Sequence, residues 1–137
     1  MHQPDRILAD PELAGLIDLT EPACVILSGV LHFADPATAR GIAAAFGRAI
    51  APGSYLIISV GSGSPSEGEN FTSAYTAAPV YIHPQRQLED FFGGLELVPP
   101  GVVSVWDWAG DGPALHLEPL TATFMAGVAR KVNGNAG

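Results

Sequence analysis

Two runs of consecutive apolar residues dominate the pattern of hydrophobic and polar positions along the chain. The first covers residues 24–33 and is bounded by Glu21-Pro22 and Asp35-Pro36, and the second, Ser54 to Val60, follows Ala51-Pro52-Gly53. Short, β-branched apolar runs between turn residues are typical of parallel strands with both faces covered. We therefore predict two buried parallel strands, and we expect the functional site at the end of the first.

A helical repeat separates these runs. It begins at Asp35-Pro36, an N-cap followed by a first-turn proline. Apolar side chains then recur every three or four residues: Ala39, Ile42, Ala43, Phe46, Ala49 and Ile50. A strand, a helix and a second strand of this size predict a right-handed βαβ unit.

Two shorter helices are predicted on either side of this unit. Asp10-Pro11-Glu12 starts the first, whose apolar stripe consists of Leu13, Leu16 and Ile17. The second covers Pro84 to Phe92 and is ended by the cap Gly93-Gly94.

The rest of the pattern predicts strands and connections. Strand segments are expected at Leu95–Val98, at Val102–Trp106 after a proline break, and at Thr123–Arg130. Residues 61–70 are rich in Gly, Ser and Glu, which predicts a mobile loop where parallel sheets bind ligands. Residues 71–78 have helical spacing and predict a short cover over that site.

Composition narrows the class of protein. The 137 residues contain no internal repeat and fit one domain, 1–137. A net charge of -8 with only six Lys and Arg argues against a nucleic-acid partner.

No apolar segment is long enough to cross a bilayer and no secretory signal is visible at Met1, which predicts a soluble protein without a membrane partner. The single cysteine, Cys24, suits the cytoplasm and is predicted to be a small buried hydrophobe.

Several motifs occur in a fixed order along nearly the whole chain: Ile7-Leu8-Ala9-Asp10-Pro11-Glu12, Pro22 with Val30-Leu31-His32-Phe33, Pro52-Gly53-Ser54-Tyr55-Leu56, Phe91-Phe92-Gly93-Gly94-Leu95-Glu96-Leu97-Val98, Pro100-Gly101-Val102-Val103 and Gly127-Val128-Ala129-Arg130-Lys131. By these motifs the chain resembles the C-terminal half of a bacterial S-adenosylmethionine-dependent methyltransferase family, long catalogued as a domain of unknown function. The resemblance implies an α/β fold of the Rossmann-like class I type. The sheet would be partial, with two parallel strands, a C-terminal antiparallel pair and helices on both faces.

The same resemblance implies that the family's N-terminal cofactor-binding strands are missing from the chain. Its glycine-rich loop and its acidic residues at the ribose and adenine would be missing with them. One rival stretch, Gly61 to Ser66, reads Gly-x-Gly-x-x-Ser but lacks the third glycine and contains Pro65. No acidic residue follows about 20 positions later at the end of a clear strand, so a flexible loop is the better interpretation and a phosphate loop the weaker one.

The resemblance places six residues beside S-adenosylmethionine: Ser28, Gly29, Val30, Leu31, His32 and Phe33. Gly29 either lets the backbone approach the cofactor or makes room for a packed helix. Val30 and Leu31 either cover the cofactor or belong to the core. His32 either orients a substrate or accepts a proton, since its unperturbed pKa of about 6.5 lies near neutrality, or it caps the next helix or bonds to backbone.

Other polar residues have weaker claims. Tyr75, Tyr81 and His83 either line a pocket for the methyl acceptor or belong to the core, and Asp35 fits helix capping better than substrate contact. His2, His116 and the carboxylates lack a spacing such as His-x-x-x-His, so no metal site is predicted.

Two hypotheses of function follow. The first is a truncated S-adenosylmethionine-dependent methyltransferase that acts on a small molecule and is weakly active or inactive alone, with no catalytic residue assigned. The second is a non-catalytic association module, because without a neighbouring strand the run Val25 to Leu31 exposes an apolar edge that favours homodimerisation.

Overall fold

The computed structural model describes residues 3–62, 81–105, 107–109 and 123–133. In this part of the chain the helices are α1 (Pro4–Leu8), α2 (Pro11–Leu16), α3 (Pro36–Ala49) and α4 (Gln85–Phe91), with 3-10 turns at Leu31–Phe33 and Asp107–Ala109. The strands are β1 (Cys24–Ser28), β2 (Tyr55–Ser62), β3 (Glu96–Leu97), β4 (Val103–Ser104) and β5 (Thr123–Arg130). None of the described helices has the length and apolar character needed to span a membrane.

The five strands form one mixed sheet in the order β1-β2-β5-β3, and β4 also pairs with β5. β1 and β2 are parallel, with Cys24 opposite Tyr55 and Ser28 opposite Ser59. β5 is antiparallel to β2, β3 and β4. The prediction of two parallel strands followed by antiparallel ones is therefore confirmed, and β5, the last strand in sequence, lies inside the sheet.

The core lies between one face of this sheet and the helices α3 and α4. The strands contribute Leu27, Leu56, Ile58, Val60 and Ala129, and the helices contribute Ile42, Phe46, Leu88 and Phe91. The Asp35 side chain caps α3 by accepting hydrogen bonds from Thr38 N–H and Thr38 Oγ1–H. The helices α3 and α4 begin and end within one residue of the bounds predicted from the sequence.

The prediction that β1 is buried on both faces is wrong. Only Leu27 of this strand is fully buried, whereas Ile26 is 62% exposed and Cys24, predicted to be buried, is exposed as well. β1 lies at the edge of the described sheet, and its even-numbered side chains lie on the face opposite α3 and α4. These two features explain why the side chains of Cys24 and Ile26 are exposed. Tyr55, the first residue of β2 and the partner of Cys24, is 40% exposed on that same face.

Element lengths also differ from the predictions. β1 ends at Ser28 although the apolar run continues to Phe33, and β2 continues through Gly61 and Ser62, which were predicted to be loop. The helix α2 forms with Asp10 as its cap, but its apolar stripe is uncovered, since Leu16 is 84% exposed. The predicted loop 63–70, the covering helix 71–78 and Trp106 lie outside the described residues.

Candidate functional site

The site predicted at the end of the first strand begins where Gly29 turns the backbone. Gly29 has a φ of +65°, a left-handed conformation that side chains with a Cβ rarely adopt. Its N–H still donates to the Ser59 carbonyl at 2.9 Å, so the hydrogen bonding between β1 and β2 extends one residue past Ser28. The chain leaves the sheet immediately afterwards, at the carboxyl end of the two parallel strands.

The next residues form a single 3-10 turn. Phe33 N–H donates to the Val30 carbonyl at 3.2 Å, and Ala34 N–H donates to the Leu31 carbonyl at 3.1 Å. Leu31 and His32 are buried, with 0% and 3% exposure. We call the segment from Gly29 to Phe33 the β1 turn.

A second segment, residues 81–83, lies against the β1 turn. Tyr81 N–H donates to the His32 carbonyl at 2.7 Å, and His83 N–H donates to the Gly61 carbonyl at 3.4 Å. His83 Nε2 lies 2.9 Å from the Leu31 carbonyl oxygen. The segment therefore joins the β1 turn to the end of β2.

The six residues predicted to contact the cofactor thus form one continuous stretch, but their side chains face different ways. Ser28 is exposed, and its Oγ accepts a hydrogen bond from Ser59 Oγ–H at 3.0 Å. Gly29, Val30 and Phe33 are half-buried, whereas the Leu31 and His32 side chains lie inside the protein. Ser59 was not singled out from the sequence, because its place beside Ser28 depends on the register of β1 and β2.

Burial favours the neutral form of His32. Its burial, together with the nearby His83, lowers the pKa of the His32 imidazole below the usual 6.5. The ring packs edge-on against Phe33, with the ring centres 4.3 Å apart. A buried imidazole that packs against Phe33 does not fit exposed contact with substrate.

The residues named as an acceptor pocket do not share one environment. His83 is fully buried and Tyr81 is 38% exposed, while Tyr75 lies outside the described residues. Within the described ranges no group of three or more His, Cys, Asp or Glu side chains could hold a metal ion.

Comparisons with known proteins define the class first. A methyltransferase candidate from Thermobifida fusca is 32% identical and superimposes on 96% of this chain with a TM-score of 0.81. A DUF574 family protein from Streptomyces avermitilis is 32% identical over 95% of the chain, with a TM-score of 0.83. Geranyl diphosphate C-methyltransferase from Streptomyces coelicolor, solved with Mg2+, geranyl diphosphate and S-adenosyl-L-homocysteine, shares the fold at 13% identity over 92% of the chain, with a TM-score of 0.57. The architecture is therefore a Rossmann-like methyltransferase α/β fold.

The family model described as S-adenosyl methyltransferase matches residues 1–132. This chain belongs to that S-adenosylmethionine-dependent methyltransferase family. It spans 51% of the Thermobifida structure, 52% of the S. avermitilis one and 50% of the S. coelicolor enzyme. No curated protein matches the sequence.

Proposed function

We propose that the chain supplies one wall of the cofactor pocket of an S-adenosylmethionine-dependent methyltransferase, and that this wall is the β1 turn with Ser28. The observation that carries the proposal is the left-handed Gly29 at the carboxyl end of the parallel pair. Ligands of open α/β sheets bind at the carboxyl ends of the strands. Membership of the family supports S-adenosylmethionine as the ligand.

The backbone of the β1 turn fits this role better than its side chains do. Gly29 has no Cβ, so a small molecule can approach its main chain closely. Leu31 and His32 face inward, and they support the turn from behind. Ser28 Oγ, exposed beside Ser59, is a hydroxyl that can bond to a ligand.

The proposed methyl transfer needs little general acid or base catalysis by these residues. When bound, S-adenosylmethionine supplies an electrophilic methyl group on a sulfonium, and transfer then depends mainly on in-line positioning and exclusion of water. The burial of the His32 side chain behind the turn agrees with a positioning role for this wall. We assign no general base among the described residues.

We further propose that the wall is incomplete without the other half of the family fold. The chain spans about half of the matched structures, and β1 pairs with only one strand among those described. The strands expected from the resemblance to hold the methionine, ribose and adenine parts would lie beyond β1. The acceptor is expected to be a small molecule, which the methyltransferase from S. coelicolor exemplifies with geranyl diphosphate.

Titration with S-adenosyl-L-homocysteine tests the cofactor wall. In the isotope-labelled chain we expect amide chemical-shift changes confined to residues 28–33, and calorimetry should show no micromolar affinity. A matched control compares Gly29→Ala with Gly53→Ala, since both glycines have positive φ but Gly53 lies at the opposite end of β2. Only Gly29→Ala should abolish the shift changes.

Two results would overturn these proposals. Shift changes outside residues 28–33 would remove the assignment of the wall, and micromolar affinity of the 137-residue chain would remove the partial-site proposal.

A second candidate function, self-association through the edge of β1, is supported by the exposure of Ile26. Edge strands with apolar side chains favour pairing with another chain. In the parallel register with β2, the amide and carbonyl groups of Cys24, Ile26 and Ser28 point away from β2. Sedimentation should then show a dimer or larger species, and a clean monomer at high concentration would remove this function.

A further inference from the structure

The fully buried His83 side chain lies between the β1 turn and α4. Its Nε2 is 2.9 Å from the Leu31 carbonyl oxygen, and its Nδ1 is 3.3 Å from Gln87 Oε1. The ring also packs edge-on against Phe91, with ring centres 5.1 Å apart. One imidazole thus joins the turn to two residues of the helix.

The contact with Leu31 shows which atom carries the hydrogen in this bond. A carbonyl oxygen only accepts, so Nε2 carries the proton and donates to it. The other ring nitrogen, Nδ1, faces Gln87 Oε1 at 3.3 Å.

Leu31 is a central residue of the β1 turn. Its carbonyl oxygen accepts hydrogen bonds from both Ala34 N–H and His83 Nε2–H. The first bond lies within the 3-10 turn, and the second joins the turn to a distant part of the chain. Tyr81 N–H adds a third bond, to the next carbonyl, that of His32. The position of the turn relative to α4 therefore depends on the segment that carries His83.

We propose that His83 is a positioning residue for the cofactor wall, acting through its Nε2–H bond to the Leu31 carbonyl. This role rests on the proposed function, because it is the β1 turn that would meet S-adenosylmethionine. His83 touches no ligand in this scheme. It fixes the backbone of the turn so that Gly29 and Val30 stay in one place.

Three variants test the role. His83→Leu removes the donor, His83→Gln retains an N–H near the Nε2 position, and Gln85→Leu is the matched control. Gln85, two residues after His83, lies in the first turn of α4 and donates to the Val102 carbonyl at 2.8 Å rather than to the β1 turn. Loss of a hydrogen bond of about 1 kcal/mol corresponds to about a fivefold change.

Hydrogen exchange of the Phe33 and Ala34 amides is the first measurement. In His83→Leu we expect their protection to fall about fivefold more than that of the α3 amides. His83→Gln should restore most of this protection, and Gln85→Leu should lower protection evenly across the domain. Equal losses in His83→Leu and Gln85→Leu, or no rescue by His83→Gln, would overturn the role.

Two further measurements keep the outcomes distinct. In the unmodified chain, nitrogen chemical shifts of His83 should show the Nε2–H tautomer, and the Nδ1–H tautomer would contradict the proposal even if the variants fail to fold. Titration with S-adenosyl-L-homocysteine should give weaker shift changes at residues 28–33 in His83→Leu. If the unmodified chain shows no shift changes while the exchange result holds, the proposed function fails and the structural link between His83 and the turn remains.

Discussion

Gly29 shows how one residue sets the end of a strand. The apolar pattern continues beyond it to Phe33, but a φ of +65° takes the chain out of the plane of β1 and into a 3-10 turn. A Cβ at this position would lie 3.7 Å from His32 Cε1, an ordinary contact. Glycine is therefore required here by the backbone conformation, and not because a Cβ would clash with a neighbouring side chain.

Replacing Gly29 by alanine should destabilise the fold by about 1–2 kcal/mol, the cost of left-handed backbone for a residue with a Cβ. Gly41→Ala is the matched control, because Gly41 lies in α3 with nothing within 4 Å of the added Cβ. That change should instead stabilise by about 0.5–1 kcal/mol. Urea denaturation measures both, and an equal effect of the two would contradict this account of the turn.

The buried His32 predicts a pH dependence of stability. Because its folded pKa lies below about 6.5, the unfolded chain binds more protons between these two values. The free energy of unfolding should therefore be highest above pH 6.5 and fall as the pH drops through the folded pKa. The exposed carboxylates Asp18 and Asp35, whose pKa values are lowered by hydrogen bonds from Thr20 and Thr38, act only at more acidic pH.

Comparing the unmodified chain with His32→Gln isolates this contribution. The variant should lose part of the stability change between pH 7 and pH 5, as measured by denaturation at each pH. A difference between the two chains that stays constant over this range would show that His32 does not titrate on unfolding.

At the scale of elements, β5 packs closely against the region around α4. Gly127 lies opposite Ile58 on the core face of the sheet. A Cβ there would lie 2.8 Å from Phe92 Cε2 and 2.9 Å from Val102 Cγ2. Glycine thus lets the helical layer approach the sheet at this point.

Gly127→Ala should destabilise the protein by about 1–3 kcal/mol through overpacking. Gly47→Ala is a buried control, since the nearest atom to its added Cβ, Leu95 Cδ1, is 3.6 Å away and the residue lies in α3. The control should be tolerated or slightly stabilising. Thermal unfolding of the two variants distinguishes a crowded site from a general intolerance of added methyl groups in the core.

The elements that could be predicted from the sequence are those marked by residues close together along the chain. Asp35-Pro36 and the apolar repeat after it located α3, and Gly93 located the end of α4. The exposure of Ile26 was missed because an apolar run has the same appearance in a central strand and in an edge strand. The contact of His83 with Leu31 spans 52 residues, so no local pattern could reveal it.

At the scale of the whole molecule, two of the large exposed apolar side chains among the described residues, Ile26 and Tyr55, lie on the neighbouring strands β1 and β2. The large exposed hydrophobic residues described are Ile7, Leu16, Ile17, Ile26, Tyr55 and Tyr81. Most precede β1 or lie on β1 and at the start of β2. The exposure of Ile26 on the edge strand β1 agrees with both functional proposals, because either the family's other half or a second copy would cover this edge.

Ile26→Lys should reduce self-association if the β1 edge is the contact. A lysine on an exposed edge strand is unfavourable for pairing with another chain. Ile7→Lys is the control, since Ile7 is 41% exposed but lies on α1. Sedimentation velocity should show a larger monomer fraction for Ile26→Lys alone, and equal shifts for both variants would indicate a general charge effect.

The interior place of β5 has a consequence for synthesis on the ribosome. Residues 123–130 lie between β2 and the strands β3 and β4, so until they leave the exit tunnel the nascent chain has a gap in the middle of its sheet. Translation proceeds at about 5–20 residues per second, so α3 and β2 are synthesised several seconds before β5 can pair with β2. During this interval the edge of β2 that later pairs with β5, including the backbone of Leu56 and Ile58, is open to pairing with other nascent chains.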